Sequence, residues 1–239
     1  MEDELMNKMI MILGAASVGK TAVIKWLVPF LKEENLNPCL CKIDCLYTED
    51  SKVYQSLQVP YVVGLSEDIC PDHFLVSNLC ELWDWKEKKD CDTLIIETAG
   101  LCNRCCPATE NTISICVLDA TASTHSAKKL GPMVTMSDII VLTKIDMVSQ
   151  AEREILIWSL EKLNPTAKIF PVDGLVGYGV ESLGRCILSE PAVKTYEEDL
   201  LRHTMPSGVC SYCIGEKRVG SAYQQGIVGK IDFQKENAL

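Results

Sequence analysis

Met9-Ile10-Met11-Ile12-Leu13-Gly14-Ala15-Ala16-Ser17-Val18-Gly19-Lys20-Thr21 joins an apolar run to a glycine-framed loop, and Ala22 to Leu31 beyond it carries helical patterning. The order strand, G-x-x-x-x-G-K-[ST], helix is the context in which this motif cradles a polyphosphate. Gly14 and Gly19 lack a Cβ, so the backbone can wrap closely around phosphates and present its N–H groups. The helix that starts after Gly19 adds the positive end of its dipole. Lys20 then reaches the β- and γ-phosphates, and Thr21 offers a hydroxyl to Mg²⁺. The expected nucleotide contacts here are Gly14, Ala15, Ser17, Val18, Gly19, Lys20, Thr21 and Ala22. The plain alternative is a chance match in a glycine-containing turn.

Outward from this loop the chain repeats strand and helix. Apolar, β-rich runs lie at Met9–Leu13, Cys39–Ile43, Tyr61–Val63, Thr93–Ile96, Ile113–Leu118, Ile139–Leu142 and Lys168–Val172. Helical patterns lie at Lys20–Lys32, Phe74–Lys88, Ala151–Leu163 and Val180–Leu188. Such alternation predicts an α/β fold, a mostly parallel central sheet with helices on both faces. Ligands of these sheets sit beyond the carboxyl ends of the strands. The expected organisation is a P-loop domain over 1–195 and a small extension over 196–239 that carries Cys-x-x-Cys.

Composition narrows the function. The 239 residues are 47% hydrophobic with a net charge of −10, which fits a globular chain and argues against nucleic acid as the main partner. No apolar run approaches the roughly 20 residues that cross a bilayer. Met1-Glu2-Asp3-Glu4-Leu5 lacks the basic start of a signal peptide, so a cytoplasmic protein without a membrane partner is expected. Thirteen cysteines, an odd number, do not suggest a disulfide framework in that compartment. Cys116 and Cys186 sit in apolar runs and read as core residues.

Three more post-strand loops complete a nucleotide site. Glu97 ends a buried strand in Thr93-Leu94-Ile95-Ile96-Glu97-Thr98-Ala99-Gly100, placed to hold Mg²⁺ through water or to position the attacking water, with the Gly100 N–H available to the γ-phosphate. Asp44 closes the second strand and can serve the Mg²⁺ shell or orient water; a turn-forming acid is the alternative. Thr143-Lys144-Ile145-Asp146 gives a carboxylate that can accept from guanine N1–H and N2–H₂, with the Lys144 stem along the base. Adenine lacks that donor pair, and a donor left unpaired costs about 1–3 kcal/mol. This favours GTP over ATP; a surface Lys and Asp after a strand is the plain alternative.

With these residues in view, Ile10 to Leu188 resembles the GTPase family that contains the nickel-insertion GTPases of urease and hydrogenase maturation and the cobalamin-related metallochaperones. The resemblance rests on the phosphate loop, Asp44 with Thr48-Glu49-Asp50, Glu97 to Gly100, and Val117-Leu118-Asp119. It extends to Lys129-Leu130-Gly131-Pro132 with Ser137-Asp138, to Thr143 to Asp146, and to Gly177-Tyr178-Gly179-Val180-Glu181. The family's usual Asn of the guanine motif is Thr143 here. The resemblance implies a slow GTPase, a homodimer, a client metalloenzyme or accessory protein, and a transition metal as cargo.

Three cysteine clusters bear on that cargo. Cys70-Pro71-Asp72-His73 resembles the Cys-Pro-His that holds a metal across the dimer in the urease GTPases, with Asp72 inserted; thiolate plus imidazole suits Ni, Zn or Cu, and a buried Cys with an ordinary surface His is the plain alternative. Cys102-Asn103-Arg104-Cys105-Cys106-Pro107 follows Gly100 directly, and Cys106-Pro107 resembles a metal-ligating Cys-Pro of the hydrogenase GTPases. Three cysteines in a loop are hard to explain by packing, so Cys102, Cys105 and Cys106 are expected metal or cluster ligands, with a redox thiol pair as rival. Arg104 is the nearest candidate for an arginine finger. Cys210-Ser211-Tyr212-Cys213 is half of a Zn or Fe–S site. Two other readings stay open: a nucleotide-gated Fe–S or redox activator, and a regulatory GTPase with incidental cysteines.

Overall fold

The computed structural model describes residues 7–100, 105–122, 129–193, 196, 199–203, 215–224 and 228–235. Its frame is seven strands: β1 Lys8–Leu13, β2 Pro38–Asp44, β3 Tyr61–Leu65, β4 Thr93–Glu97, β5 Ile113–Asp119, β6 Ile139–Thr143 and β7 Lys168–Pro171. They form one sheet in the order β3-β2-β4-β1-β5-β6-β7, and every pairing is parallel. All seven expected strands are present. The helices are α1 Lys20–Glu33, α2 Ser51–Leu57, α3 Pro71–Val76, α4 Leu79–Lys88, α5 Pro132–Thr135, α6 Gln150–Leu163 and α7 Val180–Ser189.

Strand periodicity divides the core. Met9, Met11 and Leu13 of β1 point to one face with Leu94, Ile96, Cys116, Ile140 and Leu142, where α3, α4 and α6 pack. Ile10 and Ile12 point to the other with Ile95, Ile115, Val117, Ile139 and Val141, under α1, α2 and α7. Two covered faces explain why the strands read as continuous apolar runs.

One expected helix is two. The run Phe74–Lys88 breaks between α3 and α4, where buried Asn78 donates to the Phe74 and Gly229 carbonyls at 2.7 and 2.9 Å and accepts from the Ile231 N–H. A side-chain amide that bonds its own backbone competes with helix continuation. The short helices α2 and α5 were absent from the sequence reading; α2 buries only Tyr54 and Leu57, too few positions to set a period.

The described parts of 196–239 add to the first core. Tyr196 stacks on Trp83 at 5.7 Å between ring centroids. Its hydroxyl shares hydrogen bonds with Thr109 and Thr112. Leu201, Val219 and Ile231 are buried in the face that holds α3 and α4, and isolated antiparallel bridges join Thr109 to Leu201 and Leu200 to Arg218. Cys210 and Cys213 lie outside the described residues. No described helix is long and apolar enough to cross a membrane.

Candidate nucleotide and metal site

The loops after β1, β2, β4 and β6 meet above the carboxyl edge of the sheet. A cleft of about 510 Å³ runs between the loop before α1 and the segment after β2, lined among others by Ser17, Gly19, Lys20, Thr21, Asp44, Asp50 and Glu97. Lys20 is 5% exposed, and its Nζ donates to the Gly14 and Ala15 carbonyls at 2.9 and 2.8 Å. Burial lowers its pKa to about 8. Gly100 crosses this loop at φ +77°, and a Cβ there would stand 2.7 Å from Lys20 Nζ and against the Gly14 carbonyl oxygen.

Glu97 lies at the bottom of the cleft, 2% exposed. Its carboxylate accepts from Thr21 Oγ1 at 2.9 Å, from Lys42 Nζ at 2.5 Å and from the Tyr54 hydroxyl. Lys42 faces Glu97 because the two are register partners on adjacent β2 and β4. It also reaches Asp50 Oδ2 at 3.0 Å. Burial works against the Lys42 ammonium, but Glu97 and Asp50 outweigh it and hold its pKa above the ordinary range. Sequence reasoning gave no role to Lys42 or Tyr54. Asp44 at the end of β2 is half-buried, with Oδ1 accepting from the Cys45 N–H at 3.1 Å.

These groups suit Mg²⁺. The Thr21 hydroxyl and Glu97 carboxylate touch at the cleft floor, Asp44 lines the same cleft, and all are hard oxygen donors. Mg²⁺ in phosphate sites takes only one or two protein oxygens and fills the rest with water and phosphate. Among the described residues no three His, Cys, Asp or Glu side chains form a fuller shell.

A second cavity of about 240 Å³ adjoins α1, lined by Gly19, Ala22, Thr143, Lys144, Asp146, Met147, Asp173, Gly174 and Leu175. Thr143 donates to the Val18 carbonyl at 2.5 Å, so its hydroxyl ties this cavity to the phosphate loop. Lys144 takes a left-handed φ of 53° and pairs with Asp119 Oδ2 at 2.5 Å, which lays its stem across the cavity mouth. The Asp146 carboxylate is exposed and makes no hydrogen bond among the described residues. The wall from Asp173 to Leu175 was missed in sequence, although the glycines that follow it had been noticed; Trp26 Nε1 fixes it by donating to the Gly174 carbonyl at 3.0 Å. For Asp146→Asn we expect GTP affinity to fall by about 1–3 kcal/mol and xanthine nucleotide to bind better. Competition binding of the two checks this, and unchanged base preference would remove Asp146 from base recognition.

The cysteines are placed otherwise than a surface metal loop requires. Cys105 is 3% exposed and Cys106 fully buried, both within the hydrophobic core. Burial raises the Cys106 thiol to about 11. The residues that follow them are tied to the tail: Arg202 N–H bonds the Ala108 carbonyl at 3.0 Å, and its guanidinium bonds the Thr109 carbonyl at 2.7 Å. The expectation that packing could not account for these thiols is therefore corrected for Cys105 and Cys106. Cys102 and Arg104 lie outside the described residues. Cys70 is exposed at the start of α3, whereas His73, 3% exposed, turns inward, and burial lowers its pKa.

Residues 8–171 match the model of the CobW/HypB/UreG nucleotide-binding domain. The chain belongs to this family. It is 43% identical over 225 residues to an uncharacterised protein of Methanocaldococcus jannaschii, an alignment covering 94% of this chain and 96% of that one. Against urease accessory protein UreG 2 of Streptomyces griseus it is 29% identical over 185 residues, 71% and 81% of the two chains. Among solved structures, hydrogenase maturation factor HypB of Archaeoglobus fulgidus aligns with a TM-score of 0.60 at 20% identity, covering 77% of this chain and 91% of that one. HypB of Helicobacter pylori, solved in complex with nickel, gives 0.64 at 19%, with coverage of 80% and 92%. At these identities the structures speak for the fold. Family membership makes this a member of a nucleotide-binding metallochaperone family, and its P-loop architecture is that of the family's GTPases.

Proposed function

We propose that the chain is a GTP-hydrolysing maturation factor that hands a transition metal to a client metalloenzyme. The observation that supports the nucleotide half is that the phosphate cleft and the base cavity share Gly19 as lining, with Thr143 bonded to Val18 beside it. Lys20 and the N–H groups of Ala15 to Thr21 receive the phosphates, and Asp146 reads guanine. When bound, Mg²⁺ supplies charge neutralisation on the β- and γ-phosphates, held by Thr21 and through water by Glu97 or Asp44. Asp44, on the loop side of the cleft, orients the attacking water. Gly100 offers its N–H to the γ-phosphate and passes that group's presence to the chain beyond it.

The metal half rests on Cys70, the exposed thiol at the head of α3, and on the UreG relatives, which are named as urease accessory proteins. One exposed thiol cannot fill a coordination shell, so a pair of chains would bring two, and His73 would have to turn outward from its buried position to add its imidazole. Nickel or zinc fits such a thiolate and imidazole set, and the compartment proposed is the cytoplasm. The experiment is metal stoichiometry and solution mass of anaerobic protein with GDP and with a non-hydrolysable GTP analogue. We expect about one metal per two chains with the analogue, lost in Cys70→Ser and kept in Cys106→Ser. Equal metal content with both nucleotides, or loss in Cys106→Ser alone, would overturn this reading. A brown protein absorbing in the visible would replace it with an Fe–S activator.

A further inference from the structure

Glu97 is held in an unusual way for a carboxylate at the floor of a Mg²⁺·nucleotide cleft. A lysine ammonium already stands against it, buried, at 2.5 Å, and a phenol from α2 caps its other oxygen. Lys42 is 5% exposed, so water does little to screen its charge. It has two carboxylate partners on different elements: Glu97 on β4, inside the sheet between β2 and β1, and Asp50 at the head of α2, which closes the Asp44–Asp50 loop. Tyr54 sits one turn into that same helix, itself fully buried. Lys42 and Tyr54 therefore pin α2 and the loop before it to Glu97.

We infer that Lys42 is an internal counter-cation that occupies the electrostatic place of Mg²⁺ at Glu97, and that Lys42 with Tyr54 forms the latch through which divalent-cation binding repositions the Asp44–Asp50 loop. This rests on the reading of the cleft as a Mg²⁺·nucleotide site. Thr21 and Glu97 would hold the doubly charged ion, and its charge there would disfavour the neighbouring ammonium and weaken that ammonium's pairing with Glu97. The ammonium keeps Asp50 as its partner, so it does not become a buried unpaired charge, the costly outcome. The Tyr54 hydroxyl loses its acceptor in the same step. Charge passes from a Glu97-centred cluster to an Asp50-centred one, and the segment bearing Asp44 moves with the latter. The P-loop lysine, Lys20, is a separate group, committed to the Gly14 and Ala15 carbonyls.

The test is a ratio: the affinity of full-length protein for a fluorescent GTP analogue at saturating Mg²⁺, divided by its affinity in EDTA. Removing a competing charge at this range raises the ratio by about tenfold in Lys42→Met. Lys42→Arg, which keeps the charge, stays within about twofold of wild type. Tyr54→Phe, which leaves the charges in place and removes one hydrogen bond to Glu97, raises the ratio by about threefold. A merely structural role would lower the melting temperature and leave the ratio alone. An unchanged or reduced ratio in Lys42→Met overturns the latch; should that variant not fold, an unchanged ratio in Tyr54→Phe does so. If wild type itself shows no Mg²⁺ dependence, the Mg²⁺·nucleotide reading of the cleft has failed, which is a different result from the failure of the latch alone.

Discussion

Lys20→Ala should lose nucleotide affinity by about 100-fold or more while the protein stays folded. A charge-assisted contact to phosphate is worth about 1.5–3 kcal/mol each, and this ammonium is placed to make more than one. It is also the group whose protonation the cleft controls. Burial brings its pKa down to about 8, whereas bound phosphate favours the ammonium and raises it again. Below pH 8 both free and bound forms carry the proton, and affinity should be flat. As pH rises through 8, the free protein sheds a proton that binding must recover, so affinity falls by up to about tenfold per pH unit until the bound form also titrates. Isothermal titration between pH 6.5 and 9.5 reads this directly. In Lys20→Met the slope above pH 8 should vanish; a slope that persists would assign the titration to another group.

Gly100→Ala is the second change expected to have a large effect. A left-handed φ costs an alanine about 1–2 kcal/mol. More severe is the crowding, because the new methyl would meet the Gly14 carbonyl oxygen and stand 2.7 Å from Lys20 Nζ. The two loops that bracket the γ-phosphate position cannot both keep their places. We expect at least a tenfold loss of affinity for a GTP analogue, with GDP affected less. Titration of the two nucleotides side by side gives the comparison, and equal losses would mean that Gly100 senses the phosphate loop as a whole and has no part in distinguishing its last group.

The fold could be read because burial on both faces leaves a plain record: seven apolar runs, four of them followed by a loop with a chemical signature. Lys20, Thr21, Asp44 and Glu97 could be proposed for the same reason, since they open α1 or close a strand, and Asp146 because it lies three residues beyond β6. Lys42 and Tyr54 were not visible. Their meaning depends on β2 lying beside β4, a neighbour relation that the chain order does not contain. Cys105 and Cys106 misled in the opposite direction. A cysteine-rich loop after a strand resembles a ligand set, but Cys105 and Cys106 belong to the same core as β1, α3 and α4, and the described Tyr196 and Arg202 bond Thr109 and Ala108 just beyond them. Sequence reasoning treated the stretch over 196–202 as peripheral because it lacks a helical or strand period of its own.

The seat of Tyr196 on Trp83, with Leu201, Val219 and Ile231 set into the same wall, has a practical consequence. A recombinant fragment trimmed to the consensus nucleotide-binding region would expose the Trp83 ring and take from Thr109 and Thr112 the hydroxyl that bonds them. Aggregation of such a fragment would be a product of the trimming, since the side chains it lacks are the ones that cover this apolar wall.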